Sequence, residues 1–405
     1  MSDASKNING PRDWKRPVLI GLCIFLSIVL VLLIAFVVIY ESTLGRLDRI
    51  DPDQESTMSW EEASRWEEEN RDDEDYDPSL EEIDPSDITW GDEEDDFWGE
   101  EDETGATEDT EETELTTDPT QEPTEASTEK PTTKPTTKPT TATTKPTTKP
   151  VKIDYIGDES YIINILLVGE DRRPGQSRGR SDSMILCSFN TKAKEISMVS
   201  FMRDLYVKIP GYKANRLNAS YAYGGVKLLN KTLKQNFYIT VDGNVVVDFE
   251  DFKEIINMIG GVDISLTKKE ADHLNDGRNL YKVGMNHMTG GMALAYARIR
   301  KIDSDYARTN RQRTVLKAIL AKIKNMSLTE VLELATKLMP KVRTDMSNKE
   351  ILNFVKDVFP MLSKAKINSL RIPGSGAYES KRVRGMAVLV PNLSKARATL
   401  KSTLK

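Results

Sequence analysis

From residue 151 to the end of this 405-residue chain, apolar positions fall into segments that alternate between strand-like and helix-like spacing. Residues 162–168, IINILLV, are apolar almost without a break, as expected of a strand covered on both faces. Residues 184–189 and 196–201 predict two more strands, with shorter ones at 245–247 and 262–266. Helices are predicted at 228–237 and 252–259. In 289–300, Met292, Ala295, Tyr296 and Ile299 follow three-four spacing, and in 307–324 Val315, Leu316, Ile319, Leu320 and Ile323 share one side. The tail alternates more weakly: a helix at 349–363, strands at 367–372 and 386–390, and a closing helix from Pro391. A length of about 250 residues suits one α/β domain, residues 151–405, with helices flanking a central sheet.

The first 150 residues read differently. Residues 17–40, from Pro17 to Tyr40, form a run of 24 without a charge, long enough to cross a bilayer as a helix. Lys6, Arg12, Lys15 and Arg16 precede it, so the positive-inside rule places residues 1–16 in the cytoplasm and everything after Tyr40 outside the cell membrane. A cleaved signal peptide would have a shorter apolar core and a small-residue cleavage site, which residues 40–44 do not supply. Residues 41–118 are acidic and poor in aliphatic side chains, a composition expected to stay disordered. Trp60, Trp66, Trp90 and Trp98 lie in it, as docking motifs, as part of an acidic segment folding back on the basic domain, or as incidental aromatics in solvated chain. Residues 119–150 repeat Thr-Thr-Lys-Pro, an extended linker expected to act as a spacer between membrane and domain.

Charge divides at the same boundary. Residues 1–150 carry 13 Lys and Arg against 39 Asp and Glu, and residues 151–405 carry 43 against 25. So basic a domain expects an anionic partner. Its placement outside the cell removes nucleic acid and leaves phosphorylated polymers and anionic membranes. Cys23 falls in the apolar run and Cys187 in a predicted strand, so no disulfide is expected. His273 and His287 stand in polar, loop-like sequence without a Ser or Cys pattern, which disfavours a His-dependent triad or a zinc site.

The strand at 162–168 runs into Gly169-Glu170-Asp171-Arg172-Arg173, and the next is preceded by Gly179-Arg180-Ser181-Asp182. Ligands of open α/β sheets bind beyond the carboxyl ends of strands, where Asp171 and Arg173 stand. No Walker A loop or G-x-G-x-x-G follows a strand, which disfavours a nucleotide. Carboxylates among arginines suit either Mg²⁺ held against phosphate or plain ion pairing. Residues 298–313 pack five arginines, a lysine and two aspartates into sixteen positions, fitting a phosphate site or a salt-bridged helix face.

Together these segments resemble the LytR-CpsA-Psr family of cell-wall ligases. The motifs are Gly169-x-Asp171-x-Arg173, Arg180 to Asp182, Arg203-Asp204, the segment from Asn218 to Gly225, Gly260-Gly261-Val262-Asp263, and the run from Ala293 through Arg298 and Arg300 to Gln312. They cover about 162–320 in the family's order. The resemblance implies an α/β/α sandwich with a central mixed sheet and an apolar pocket for a lipid tail, with the helix faces after Phe249 and Arg313 as candidate linings. It implies transfer of an anionic glycopolymer, a teichoic acid or capsular polysaccharide, from a polyprenyl diphosphate carrier to peptidoglycan. Asp171 and Asp182 look like the family's Mg²⁺ (or Mn²⁺) ligands and, with Arg203, its catalytic group. Arg173, Arg180, Arg203, Arg298, Arg300, Arg308 and Gln312 look like the pyrophosphate-binding set, and Asp305, Asn218 and Arg311 match other motif positions. Met202 replaces a common proline, and Glu170 adds a charge. Alternatives are a diphosphatase acting on the same carrier and a non-catalytic envelope-binding regulator.

Overall fold

A computed structural model describes residues 45, 48–69, 77–90, 153–172, 178–300, 302–324 and 326–405. The tail at 1–16, the predicted span at 17–40, the linker at 119–150 and Arg173 lie outside the described residues. Among the described residues no helix is long and apolar enough to cross a membrane.

The acidic segment supplies the first elements, strand β1 (Asp48–Arg49) and helix α1 (Trp60–Glu69). Strands β2 (Ile162–Asp171), β3 (Arg180–Asn190) and β4 (Glu195–Phe201) follow, then a ribbon of β5 (Tyr206–Val207) and β6 (Asn215–Arg216) leading into helix α2 (Leu217–Phe237). Next come β7 (Gly243–Asp248), α3 (Phe249–Met258), β8 (Val262–Leu266), α4 (Lys268–Asn275), β9 (Gly284–Met288), α5 (Gly290–Ala297) and α6 (Asp305–Ile323). The chain closes with α7 (Leu328–Leu338), β10 (Arg343–Thr344), α8 (Asn348–Leu362), β11 (Lys366–Ile372), β12 (Tyr378–Val383), β13 (Met386–Pro391) and α9 (Leu393–Thr403).

Among the described residues, seven strands make one mixed sheet in the order β1-β10-β7-β2-β3-β4-β11. β2, β3 and β4 are an antiparallel meander, while β7 joins β2 and β11 joins β4 in parallel. Alternation along the meander feeds two cores. Leu166, Met184, Leu186, Val199 and Phe201 pack with α2 and α9. Ile165, Ile185, Cys187, Ile196 and Met198 pack with α6 and α8. Helices on both faces explain why the central strand is apolar at nearly every position. Burial raises the Cys187 thiol to about 12, leaving it inert. A third core joins the β8–β9 hairpin to α3, α5 and α6.

Two differences from the sequence reading affect the site. The helix expected through Arg300 ends at Ala297, where the Arg298 N–H turns back to the Leu294 and Ala295 carbonyls, so Arg298 and Arg300 lie in the loop before α6. His273 and His287 lie on α4 and β9 rather than in loops, with His287 Nδ1 2.8 Å from Asp263.

The larger correction concerns the segment expected to be disordered. Ala63 is fully buried, and Ile50, Met58, Trp66 and Trp90 pack against the main core. The acidic side chains meet the basic domain: Glu55 with Arg178, Asp53 with Lys227, Glu81 with Lys381 and Glu82 with Arg382. Composition argues that such a segment cannot fold alone. Here it borrows the domain's apolar surface and opposite charge. Gly225 adopts a φ of +62° in a kink of α2, and an added Cβ there would fall 2.0 Å from the Glu55 carboxylate. Residues 48–69 and 77–90 belong to the same compact unit as residues 154–405.

Candidate active site

The β2–β3 pairing slips at its end. Gly169 faces Ser183 and Glu170 faces Ser181, leaving Asp182 as an extra residue with no partner on β2. Such a bulge re-aims a side chain, here toward the loop before α6. Ser183 Oγ donates to Gln312 Oε1 at 3.2 Å, and Asp182 Oδ2 lies 3.5 Å from Arg300 Nη2. On the other side, Arg203 Nη1 donates to Asp182 Oδ1 at 3.1 Å. Arg203 follows the end of β4 in a turn held by the N-terminus of α2, where the Asn218 N–H donates to the Arg203 carbonyl. Asp204 then stands between Arg203 Nε at 3.5 Å and the buried Arg216 Nη1 at 3.6 Å.

Helix α6 contributes Asp305 and Arg308 from its first turns. Arg308 is 2% exposed, and among the described residues none of its three guanidinium nitrogens makes a hydrogen bond. Nη2 is 2.7 Å from Asp305 Oδ1 as an ion pair, and Asp305 Oδ2 is buried with no hydrogen-bond partner among the described residues. A buried cation with unused donors carries a desolvation cost that an arriving anion would relieve.

The two carboxylates are tuned in opposite directions. Burial works to raise the Asp182 pKa, but the charges of Arg203, Arg308 and Arg300 outweigh it and hold the carboxyl below its ordinary value. At Asp305 burial prevails, opposed by Arg308 and reinforced by Asp204, so its pKa is raised.

Beside this cluster lies an apolar cavity of about 220 Å³ between the sheet and helices α3, α5 and α6. Phe249, Phe252 and Ile255 line one wall and Val315, Leu316 and Ile319 another, the two helix faces singled out in the sequence. Its polar margin is Ser183, Asp248, Arg298 and Gln312, of which Ser183 follows Asp182 in sequence and Gln312 lies one helical turn beyond Arg308. The Arg298 guanidinium lies 4.4 Å from the Phe249 ring centre.

The structure thus gathers Asp182, Arg203, Arg300, Arg308, Asp305 and Gln312, with Arg298 on the cavity wall and Asn218 bracing the Arg203 turn. Asp171 ends β2 opposite Arg180. A Cβ at Gly179 would fall 2.0 Å from the Asp171 carbonyl oxygen, which is why that turn takes glycine. Arg180 stacks on Trp66 of α1, 5.0 Å from its ring centre. Arg311 is structural: Nε donates to the buried Glu270 at 2.8 Å and Nη1 to the Ile299 carbonyl at 3.1 Å, and Asp303 takes the remaining face. Glu170 is buried, accepting from Gly179 N at 2.8 Å and pairing with Arg343, so its extra charge is turned away from solvent. Asp204, Arg216 and Ser183 were not singled out by the sequence as site residues; the Arg203-Asp204 motif was the signal for the first.

Among the described residues no three acidic, His or Cys side chains gather into a metal cage. The ionised Asp182 fits a Mg²⁺ that draws most of its ligands from water and phosphate, the usual habit of that ion.

Comparison with known proteins agrees with this geometry. Residues 124–404 match the LytR_cpsA_psr family. The polyisoprenyl-teichoic acid–peptidoglycan teichoic acid transferase TagU of Bacillus anthracis is 33% identical over 218 residues, 53% of this chain and 70% of that protein. The structure of TagT bound to LIIa-WTA superimposes with a TM-score of 0.51 at 29% identity, over 60% of this chain and 91% of that one. B. subtilis TagV superimposes at 0.50 with 32% identity, over 61% and 98%.

Proposed function

The chain belongs to the LytR-CpsA-Psr family, and from that premise we propose that it transfers an anionic glycopolymer of the teichoic acid type from a polyprenyl diphosphate carrier to a hydroxyl of peptidoglycan. The observation that carries the reading is the junction of an apolar cavity with a buried, unsatisfied Arg308 and its neighbours Arg203 and Arg300. A polyprenyl diphosphate has the same two-part character, an apolar chain ending in concentrated negative charge. The names of TagU and of TagT bound to LIIa-WTA support the choice of polymer.

In this account Arg203, Arg300 and Arg308 bind the diphosphate, while Arg298 and Gln312 hold it at the cavity margin. Fixed cations in a low-dielectric site offset the repulsion between an incoming oxygen and the phosphate oxygens, and they do so without reorganising. Asp182 positions Arg203 and Arg300. Asp305, with a raised pKa and an unused oxygen beside Arg308, is the better proton acceptor for the attacking hydroxyl. Bound with Asp171 and Asp182, Mg²⁺ or Mn²⁺ would supply Lewis-acid neutralisation of the phosphates. The acceptor O–H bond breaks, its oxygen bonds to the sugar-linked phosphorus, the proton passes to Asp305, and the polyprenyl phosphate leaves.

The charge pattern around residues 17–40 supports a single span with a cytoplasmic N-terminus and an extracytoplasmic catalytic unit. The reading is tested by incubating the full chain with labelled polyprenyl diphosphate glycan, Mg²⁺ and peptidoglycan oligomers and weighing the products. Adducts of glycan phosphate and peptidoglycan support it. Free glycan phosphate regardless of acceptor would make the protein a diphosphatase.

A further inference from the structure

The three most exposed large apolar side chains among the described residues are neighbours: Leu280 at 61%, Val283 at 63% and Met285 at 59%. They occupy the tip formed by the turn after α4 and the start of β9. This tip is built rather than slack. Asn275 Oδ1 accepts from the Leu280 and Tyr281 N–H groups, both at 2.8 Å, and its Nδ2 donates to the Tyr281 carbonyl at 2.9 Å. Asn286 clamps the other side, accepting from Lys282 N–H at 3.1 Å and donating to the Lys282 and Gly284 carbonyls at 2.7 and 2.8 Å. Tyr281 packs inward on the third core while its neighbours point out. Arg278 and Lys282 flank the apolar residues, with Lys268 and Lys269 on α4. Of the nearby acids, Asp272 is paired with Lys268, Glu270 is turned in to Arg311, Asp263 meets His287 across the β8–β9 pair, and Asp276 stays at the edge.

A fixed apolar tip with cationic flanks has the chemistry of an interfacial anchor. Its hairpin shares a core with α3, α5 and α6, the helices that wall the cavity. Strand β1 begins eight residues after Tyr40, so the chain allows at most roughly 30 Å between the end of the predicted span and the sheet. We propose that this tip docks into the surface of an anionic lipid bilayer, with Leu280, Val283 and Met285 at the boundary of headgroups and acyl chains and Arg278 and Lys282 on lipid phosphates. The proposal rests on the reading of the donor as a polyprenyl lipid, and it adds how the cavity meets that lipid.

The test reconstitutes the full chain, carrying Cys23→Ser and an environment-sensitive fluorophore on Val283→Cys, into vesicles of phosphatidylglycerol or of phosphatidylcholine alone. Docking predicts blue-shifted emission, quenched by acyl-chain quenchers, in the anionic vesicles and a weaker shift in the neutral ones. Emission typical of water in both overturns it. In parallel, Leu280→Ser with Met285→Ser should raise KM for a vesicle-borne polyprenyl donor by about tenfold while leaving a water-soluble short-chain donor unaffected. Equal loss on both donors would mean damage to the fold and count against docking. A wild-type protein that docks but turns over neither donor would refute the functional reading alone.

Discussion

Asp182 and Asp305 stand in the same arginine cluster and answer to different forces, which gives them separable consequences. Asp182→Asn removes the charge that holds Arg203 and Arg300, so KM for the donor should rise together with a fall in kcat. Asp305→Asn should lower kcat by about a hundredfold, in the range of general-base contributions, with KM little changed. The pH dependence carries the sign. Asp305 accepts a proton only when ionised and its pKa is raised, so wild-type kcat should climb with pH through a step above the ordinary carboxylate range. In Asp305→Asn that step should vanish; if it persists, another group is the base. Arg308→Ala should weaken diphosphate binding ten- to a hundredfold, about 1.5–3 kcal/mol for a charge-assisted contact, and Arg308→Lys should restore only part. Arg311→Ala should instead cost about 3–5 kcal/mol of stability by stranding buried Glu270, read by denaturant unfolding. Residue types and order made Asp182, Arg203, Arg300 and Arg308 legible in the sequence. Direction was not: Arg311 lies one residue off the Arg308–Gln312 row, and Arg180 meets Trp66, a partner more than a hundred positions away.

At the scale of elements, strands and helices with strong periodicity were readable because their cores are local in register. Strands β2 to β4, β8 and β11 and helices α3, α6 and α8 lie within a few residues of expectation. Short or borrowed elements were not. The β5–β6 ribbon and β10 are two-residue strands, and α4 buries Glu270 and Ala271 alone, with Leu274 packing partly against the third core. Helix α1 is acidic on its own terms and folds because Trp66 meets Tyr223 edge-on at 6.3 Å, Asn215 Nδ2 donates to Glu67 at 2.9 Å, and Ala63 is fully buried. Trp66→Ala should therefore lower stability by about 2 kcal/mol, less than a wholly buried Trp would cost. Unchanged unfolding in that variant would mean that α1 rests on the domain without stabilising it.

For the whole molecule, residues 48–69 and 77–90 join the same compact unit as residues 154–405. Replacing 92–152 with a flexible linker of about 20 residues should leave the melting temperature and the rate on a soluble donor nearly unchanged. Removing 48–90 should reduce both. A marked rise in activity on removing 92–152 would point to an acidic inhibitor, and its effect would fade with salt. The most direct test of the account is transfer carried out in ¹⁸O-labelled water. Attack by a peptidoglycan hydroxyl predicts that the new phosphodiester contains no ¹⁸O and that polyprenyl phosphate is released in equal amount. Incorporation of ¹⁸O into the phosphate on the glycan would show that water is the nucleophile and contradict the assignment as a transferase.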